Sequence, residues 1–570
     1  MRTLALELRS KALTRRGRWL ILLVAVAVAF AGQLMPEITK AATVVDVPES
    51  AVVARCDPAA KVDQTPAFLA WLKTHNAPGT TIRFKAGGCY WMNNIIDIHD
   101  QHDLTFDGNG AVFKTYSAGF DMLPSDQRFN IVWPRLRSMW RLEGGYNLVL
   151  RNMTIVGSNG GPNPGIDPRT GKLFRWDYYC PDVDQPDTFC LEGQAGITLF
   201  GVNADNLGVW GAKVENVTVK YVFGDGINLH GWGDHKPNRK IEVRDSLFQR
   251  AGRIGAVAQV VNGALFQNNI FLTPRRSMTV IEPWAPNMGS YNVTFDHNQF
   301  IDEDDPTDAK TGHAYMFADG GNTDAHVENI TYSNNTLINQ QVTTYINLGP
   351  DLTRRHTTRK NIKIINNKSN ITVGSPFADQ APIRAAGIVG FEVRGNTQPI
   401  QPNQRNFGVS VYGAGDGPSS GIVVKDNTFA NALGALYTDP AIPDATVCNN
   451  LVGLDSSLDR ACVAPLAKID NTPPTILVPA AGSTVSGNTI LSARAAASSR
   501  RVEYLISGWP VFYLAHLGDA TQSPYGWVYS WASQRFPDGT YYLKARAFDR
   551  LGNHVDGPQI TVTVRNATGV

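Results

Sequence analysis

The amino-acid sequence predicts an all-β protein in which a right-handed parallel β-helix solenoid is followed by a smaller β-sandwich. Three observations support this prediction. Only 18% of the 570 residues are charged, while 52 are glycine and 33 are proline, a composition typical of strands and turns. A repeat ending in asparagine recurs along the middle of the chain. The pattern then changes near residue 465.

The N-terminus has the pattern of an export signal. Three arginines between positions 15 and 18 precede an apolar run, Trp19–Ala31, that ends in small residues suited to a signal peptidase. We therefore predict a signal peptide at 1–31, a flexible segment at 32–49, and a secreted, extracellular protein with no stable membrane span after cleavage. An uncleaved membrane anchor is the alternative, although the apolar run is short for a span of about 20 residues.

The six cysteines form three pairs that are close in sequence. Six cysteines allow about 15 connectivities, and proximity favours Cys56–Cys89, Cys180–Cys190 and Cys448–Cys462. The spacings contain no CxxC unit and have no nearby histidines, so they do not predict a zinc site. Disulfides agree with the export signal in placing the protein outside the cytoplasm.

The asparagine repeat predicts the coils of a solenoid. Segments such as Gly263–Phe271 and Asn292–Phe300 share one frame: alternating apolar residues, a polar pair ending in Asn, and then usually a further apolar residue. The alternation predicts strands with one buried face. Asn tolerates left-handed backbone at a tight turn, and stacked Asn side chains can hydrogen-bond from coil to coil. The repeated residues, at intervals of about 30, are Asn269, Asn298, Asn335, Asn367, Asn396 and Asn427.

The residues before the repeat predict the start of the solenoid. A Thr-Pro pair begins a helix over about 65–74, which would cap the open end. Strand-like segments follow at 81–90 and 104–110. Together with the Asn repeat, these segments resemble the β-helices of the pectate-lyase superfamily over roughly residues 50–465. The resemblance implies the fold but not the substrate, because that superfamily includes lyases, hydrolases, epimerases and non-catalytic adhesins.

A second domain is predicted at 466–570. The linker Asn471–Thr475 is followed by short strands broken by turns, and Tyr541–Phe548 and Ile560–Val564 alternate between apolar and polar residues. This part resembles the immunoglobulin-like modules appended to exported bacterial enzymes. It lacks a cysteine pair, so the antibody type of core disulfide is absent.

One column of polar side chains is predicted on the strands that precede the Asn strands. In the superfamily that the chain resembles, this face often lines the substrate groove. We counted back the same number of residues from the first apolar position of the Asn strand in each of four successive coils. The count gives His230, Arg253, Glu282 and Asp319. With constant turns, these residues would lie about one strand spacing apart. Arg253 is the weakest member because its coil is shorter, and Gln259 is its alternative.

Residues near this column are further candidates for binding. The segments that contain Asp225 and Glu282 resemble groove-lining segments of the superfamily, and tryptophans flank the column as sugar-stacking platforms would. Taken singly, each residue also has an ordinary structural interpretation, such as turn chemistry for the Asp-Gly pair that begins at Asp225. The candidate substrate-binding residues are His230, Trp232, Arg250, Arg253, Trp284 and His313.

The candidate catalytic carboxylates predict a glycoside hydrolase. Such an enzyme uses two carboxyl groups, roughly 5 Å apart for retention or about 6.5–9.5 Å for inversion. Glu282 and Asp319 would lie on adjacent coils, whereas Asp225 and Glu282 would lie about two coils apart. One member needs a raised pKa to act as general acid, and a nearby like charge is one way to raise it.

Two other functions stay open. A polysaccharide lyase would use the same groove with a base, and with Arg253, Arg250 or Ca²⁺ to neutralise a uronate carboxylate; no aspartate cluster on consecutive coils predicts a calcium site. A non-catalytic, carbohydrate-binding adhesion protein would use the solenoid as a stalk, with cell-wall or surface association. The net charge of +2 provides no electrostatic basis for binding nucleic acid. Neither a cofactor nor a metal is required by the sequence.

Overall fold

The chain was examined as a computed structural model. The structure describes residues 43–116, 138–159, 195–201, 208–231, 237–274, 277–283, 288–302, 317–318, 325–338, 346–348, 358–369, 381–400, 406–412, 419–439, 442, 445–453, 457–458, 472–508, 511–524, 526–549 and 554–566. The predicted signal peptide therefore lies outside the described residues. Within them, no helix is both long enough and apolar enough to cross a membrane.

Most of the described chain is a parallel β-helix. Each coil runs through up to three strands, and successive strands of a face pair in parallel from coil to coil, except for the last strand of the second face. A chain that repeats a short strand–turn unit stacks in this way because each coil buries its apolar side chains against its neighbours. This arrangement confirms the predicted parallel β-helix fold.

The three strands of a coil define three faces. The first face consists of β1 (Thr43–Asp46), β2 (Thr80–Arg83), β5 (Leu104–Lys114), β7 (Val149–Val156), β9 (Lys213–Lys220), β11 (Asn238–Arg244), β14 (Val261–Gln267), β17 (Gly289–Asp296), β20 (His326–Ser333), β23 (Thr358–Ile365), β26 (Ile388–Arg394), β28 (Ser420–Lys425) and β31 (Thr446–Cys448). The second face continues from the ends of β5, β7 and β9 and consists of β3 (Cys89–Trp91), β12 (Leu247–Gln249), β15 (Ile270–Leu272), β18 (Gln299–Ile301), β21 (Thr336–Ile338), β24 (Lys368–Ser369), β29 (Thr428–Ala430), β32 (Leu451–Gly453) and the antiparallel β33 (Ser457–Leu458).

The third face precedes the Asn strands in the chain, as the sequence predicts. Its strands form two parallel sheets that follow one another along the solenoid. The first sheet contains β4 (Ile96–His99), β6 (Trp140–Glu143), β8 (Ile197–Gly201), β10 (Ile227–Gly231), β13 (Ile254–Ala258) and β16 (Ser277–Ile281). The second sheet contains β19 (Phe317–Ala318), β22 (Ile346–Leu348), β25 (Ile383–Ala386), β27 (Val409–Tyr412) and β30 (Leu436–Asp439).

A ladder of buried asparagines joins the coils at the corner between the first and second faces. Nδ2 of each of the six predicted residues donates to Oδ1 of the next at 2.8–3.0 Å, and the ladder continues to Asn450. The left-handed backbone is found one residue earlier, for example at Asn268 and His297. The prediction that the ladder residues themselves are left-handed is therefore wrong. The preceding residue makes the turn, so that the ladder side chain can point inward.

Apolar side chains stack along the interior. Phe266, Phe295 and Tyr332 lie on successive coils with ring centroids 4.5 and 4.6 Å apart. Phe248 and Phe271 form a second stack at 5.3 Å. Repeated burial of this kind is the main favourable contribution to the stability of the solenoid.

The N-terminal part of the solenoid contains one helix and one described disulfide. Helix α1 (Thr65–Leu72) buries Phe68 against Phe84, and Cys56 is bonded to Cys89 as predicted. A capping role for α1 stays a prediction. Residues 43–46 of the segment that was predicted to be flexible form β1, which pairs with β2, and the flexibility of 32–49 stays a prediction.

The C-terminal part is an antiparallel β-sandwich after residue 472. Its two sheets share one apolar core, which includes Leu491, Tyr504 and Trp531. The immunoglobulin-like assignment stays a prediction. One sheet contains β34 (Thr475–Val478), β36 (Asn488–Arg494), β39 (Thr521–Ser523) and β40 (Gly526–Ala532). The other contains β35 (Thr484–Val485), β37 (Arg501–Gly508), β38 (Val511–Asp519), β41 (Gly539–Phe548), β42 (His554–Asp556) and β43 (Ile560–Val564), and a 3₁₀ turn spans Ser533–Arg535.

Candidate functional site

Outward-facing side chains form two rows on the third face, and most of them are polar. In β10, Ile227 and Leu229 belong to the main core, whereas Asn228 and His230 alternate with them. Parallel register aligns such outward positions from coil to coil. The first row is Asp97, Arg141, Thr198, Asn228, Val257 and Val280. The second row is His99, Glu143, Phe200, His230, Gln259 and Glu282, the last two lying one residue beyond their paired strands.

Arg253 joins two of the predicted carboxylates. Its Nη1 donates to Oδ2 of Asp225 at 3.1 Å, and its Nη2 donates to Oε2 of Glu282 at 2.8 Å. The side chains of Asp225 and Arg253 are only 2% and 8% exposed, whereas that of Glu282 is 22% exposed. Asp225 also accepts a hydrogen bond from Asn228 Nδ2 at 2.9 Å. The three charges therefore form one cluster, in which Glu282 is the member nearest to solvent.

The guanidinium changes the electrostatics expected for this carboxylate pair. A single positive charge between two carboxylates offsets their mutual repulsion, and its planar donors hold both groups at fixed positions. Like-charge repulsion is therefore not the dominant interaction at Asp225 and Glu282, contrary to what the sequence suggests. The negative charge of Asp225 is stabilised by donors on two sides.

His230 lies beside this cluster in the second row. Its ring stacks on Phe200 with centroids 4.8 Å apart, and its Nδ1 is hydrogen-bonded to Oε1 of Gln259 on the next coil. An amide oxygen accepts hydrogen bonds, so Nδ1 carries the proton in this arrangement. Both neighbours fix the orientation of the imidazole ring on the face.

A second charged cluster, which the sequence analysis missed, occupies β4 and β6. Arg141 donates from Nε and Nη2 to the two oxygens of Asp97 at 3.0 and 2.5 Å, and its Nη2 lies 3.4 Å from Oε2 of Glu143. Burial raises the pKa of Glu143, although Arg141 opposes the rise. The signal was present in the sequence, because polar residues alternate with Ile96, Ile98 and Leu142. The predicted column began two coils later and did not include them.

The structure brings together three of the predicted site residues, Asp225, Arg253 and Glu282, and places His230 in contact with Gln259 in the second row. Arg253 does not lie in the column, and its alternative Gln259 does. The reason is the short turn from Ala258 to β14. Because of it, a constant count back from β14 passes the whole of β13 and reaches Arg253, the residue before that strand.

The other predicted residues have different outcomes. Arg250 lies in the turn after β12 with left-handed backbone, φ 49°. Cys448 is disulfide-bonded. Seven predicted residues lie outside the described residues: Asp319, Trp232, Trp284, His313, Cys180, Cys190 and Cys462.

A metal-ligand grouping in the described residues lies in the sandwich and not on the third face. It consists of Glu503, His516 and Asp519. Arg501 Nη1 lies 3.6 Å from both carboxylates, and Arg546 Nη1 lies 3.8 Å from Glu503. These arginines already supply positive charge, so the grouping is a poor match for a cation.

The comparisons with known proteins found similar structures but no similar sequence. No family model matches the chain, and no curated protein has a significantly similar sequence. An endo-xylogalacturonan hydrolase from Aspergillus tubingensis is 13% identical, with a TM-score of 0.43 over 72% of this chain and 95% of that one. DFA-IIIase from Arthrobacter chlorophenolicus is 12% identical, with a TM-score of 0.37 over 73% and 95%. A mannuronan C-5 epimerase A-module from Azotobacter vinelandii is 13% identical, with a TM-score of 0.35 over 68% and 96%. Similarity at this level does not identify an activity.

Proposed function

We propose that the chain is a secreted carbohydrate-active enzyme, and that it hydrolyses glycosidic bonds of a polysaccharide lying across the third face. The observation that carries the proposal is the pair of carboxylates, Asp225 and Glu282, held on one guanidinium. The pair lies on a face whose polar rows cross several coils, which suits a polymer better than a small ligand.

The spacing of the pair supports hydrolysis. Both carboxylates contact nitrogens of the same guanidinium, at 3.1 and 2.8 Å. The two contacted oxygens are therefore at most about 8 Å apart, which is compatible with either hydrolytic geometry. We assign Glu282 as the proton donor because it is the more exposed member. Asp225, with donors on two sides, is assigned as the ionised partner that acts as base or nucleophile.

The remaining predicted residues keep supporting roles in the proposal. Asp319, which lies outside the described residues, is a further carboxylate candidate that the sequence predicts on the coil after Glu282. The substrate-binding candidates outside the described residues are Trp232, Trp284 and His313. His230 is assigned to substrate binding through its place beside the carboxylate cluster.

Two alternatives make different demands on the same face. A lyase would need a cation directed at a uronate carboxylate, whereas Arg253 already binds two carboxylates of its own chain. A non-catalytic adhesion protein would bind polysaccharide through the same rows without turnover, and the sandwich would then be a binding module. Export, cell-surface association and an immunoglobulin-like fold for the sandwich are part of the proposal.

The test is a reducing-end assay of the mature protein against a polysaccharide panel, with and without calcium, while ultraviolet absorbance of unsaturated products is followed. We expect new reducing ends without absorbance. Glu282→Gln and Asp225→Asn should lose at least about 100-fold in turnover, as general acid–base catalysis contributes. Asp319→Asn tests the third carboxylate in the same assay. Glu242→Gln, a half-buried carboxylate on the first face, is the matched control.

Each outcome of this assay decides between the functions. Full activity in Glu282→Gln and Asp225→Asn would refute the assignment of these residues. Absorbance that rises with reducing ends would establish a lyase. Binding without turnover across the panel would favour the adhesion protein.

A further inference from the structure

We infer that the third face selects a neutral, hydroxyl-bearing glycan and excludes polyuronates. This inference rests on the proposed function, because it names the substrate class of the same face. It depends on the charges of the two clusters and on two buried polar atoms between them.

The two clusters are alike in composition and carry an excess of negative charge. Each contains one arginine between an aspartate and a glutamate: Asp97, Arg141 and Glu143 in one, Asp225, Arg253 and Glu282 in the other. Beside the first cluster, His99 lies 3.8 Å from Glu143 and 2.9 Å from Asp100. With its three groups ionised, each cluster carries one net negative charge, and the second cluster carries it whenever Glu282 has given up the proton that it donates. The clusters lie on a single sheet, and β6 and β16 are four strand spacings apart, or about 19 Å. A polyanion lying across both would be repelled at two points along its length.

The arginines are directed at carboxylates of this chain. Arg141 donates hydrogen bonds from Nε and Nη2 to Asp97. Arg253 donates from Nη1 to Asp225 and from Nη2 to Glu282. A uronate carboxylate would have to compete with these buried, charge-assisted contacts. Binding it at Arg253 would leave the buried Asp225 without its cation, which is costly for a buried charge, whereas at Arg141 it would displace the partly exposed Asp97.

Between the clusters, the first row contains two buried polar atoms that have no hydrogen-bond partner among the described residues. They are Oγ1 of Thr198, whose residue is fully buried, and Oδ1 of Asn228, whose residue is 2% exposed. The residues are neighbours in register, and Thr198 is in turn the neighbour of Arg141. Unsatisfied polar atoms are rare in protein interiors, and a ligand is one explanation for them.

The chemistry of these atoms indicates which ligand group fits. Asp225 can only accept a hydrogen bond, so Nδ2 of Asn228 must face it, and Oδ1 is the atom left over. An amide oxygen needs a donor, which the hydroxyls of any sugar provide, so the discrimination against polyuronates comes from the charged clusters and not from this pair. The Thr198 hydroxyl can both donate and accept. The pair therefore matches neighbouring sugar hydroxyls.

The test measures binding separately from turnover. Isothermal titration of the full mature protein would compare neutral polymers (arabinoxylan, mixed-linkage glucan, α-glucan and inulin) with polygalacturonate and alginate of matched length. We expect binding to at least one neutral polymer, little changed by salt, and none to either polyuronate. Polyuronate binding that weakens as salt rises would overturn the inference. The inference would also be overturned if the protein bound none of the neutral polymers.

Variants test the two supporting observations. Asn228→Leu should weaken neutral-glycan binding about tenfold, the effect of one lost hydrogen bond, and Asn262→Leu on the first face is the matched control. The Asp97→Asn, Glu143→Gln double variant releases Arg141 and should gain polyuronate binding. Unchanged affinity in Asn228→Leu, or no gain in the double variant, would contradict the inference. Binding of a neutral glycan without hydrolysis would support the inference about the substrate class and contradict the proposed hydrolase. Hydrolysis of a polyuronate would support the hydrolase and contradict the inference about the substrate class.

Discussion

His554 of the C-terminal sandwich stacks on Tyr437 of the β-helix, with ring centroids 5.1 Å apart and planes 14° from parallel. Phe548 and Phe407 extend this contact at 5.8 Å. An aromatic cluster of this kind buries apolar surface from both parts of the chain. The sandwich is therefore packed against the last coils on the third face.

This contact predicts a loss of stability in acid. Burial, and then the neighbouring Arg546, lower the pKa of His554 to about 4, while Asp556 opposes the shift and Arg501 adds to it. The unfolded chain binds this proton at higher pH than the folded chain. The contribution of neutral His554 to the free energy of unfolding is therefore complete above about pH 6.5 and is lost as the pH falls towards 4. The loss amounts to no more than about 3 kcal/mol. Thermal melts from pH 7 to 4 should show a smaller decline in His554→Phe than in the wild type; identical profiles would contradict the prediction.

Arg253 should be critical for stability as well as for the site. Arg253→Gln leaves the buried Asp225 without its cation, which costs about 3–5 kcal/mol. The control is Arg244→Gln, whose ion pair with Glu242 is about one third exposed and should cost less than about 1 kcal/mol. Chemical denaturation measures both. Adding Asp225→Asn to Arg253→Gln should recover part of the loss, and no recovery would argue against an uncompensated charge.

The asparagine ladder should tolerate substitution poorly. Asn335 donates to Asn367 and to the carbonyl of Phe295, and accepts from Asn298, all within the interior. Asn335→Ala leaves these groups unsatisfied and should cost about 3 kcal/mol. Asn262→Ala, an exposed residue with one described amide contact to Asn292, should cost less than about 1 kcal/mol. Equal shifts of the unfolding midpoint in Asn335→Ala and Asn262→Ala would show that the asparagine ladder contributes little to the stability of the fold.

Glu143 should destabilise the fold when it ionises. Because burial raises its pKa, the folded state favours the protonated acid, and stability is lost as pH rises through the folded pKa. Glu143→Gln should therefore gain stability relative to the wild type on going from pH 4 to pH 7. Glu242→Gln, at a half-buried carboxylate on the first face, is the comparison variant. A relative loss at pH 7 would mean that the interaction of Glu143 with Arg141 outweighs its burial.

Local patterns in the sequence were enough to predict the coils, the asparagine ladder, the Cys56–Cys89 bond and the face that carries the polar rows. These features repeat along the chain or depend on residues close in sequence, so alternation and spacing encode them directly. Glu282 and His230 were predicted on the right face for the same reason, since side chains alternate along a strand.

Only the tertiary structure decided which polar residues meet. Turn lengths vary between coils, so counting placed Arg253 in the row that Gln259 occupies. The Asp97–Arg141–Glu143 cluster was missed because the count began two coils later. The contact of Arg253 with both Asp225 and Glu282 spans three coils, and it depends on side-chain reach across the sheet. Repetition determines a solenoid, because each coil needs only its neighbours. A site built between coils depends on the register and turn length of every coil that contributes to it.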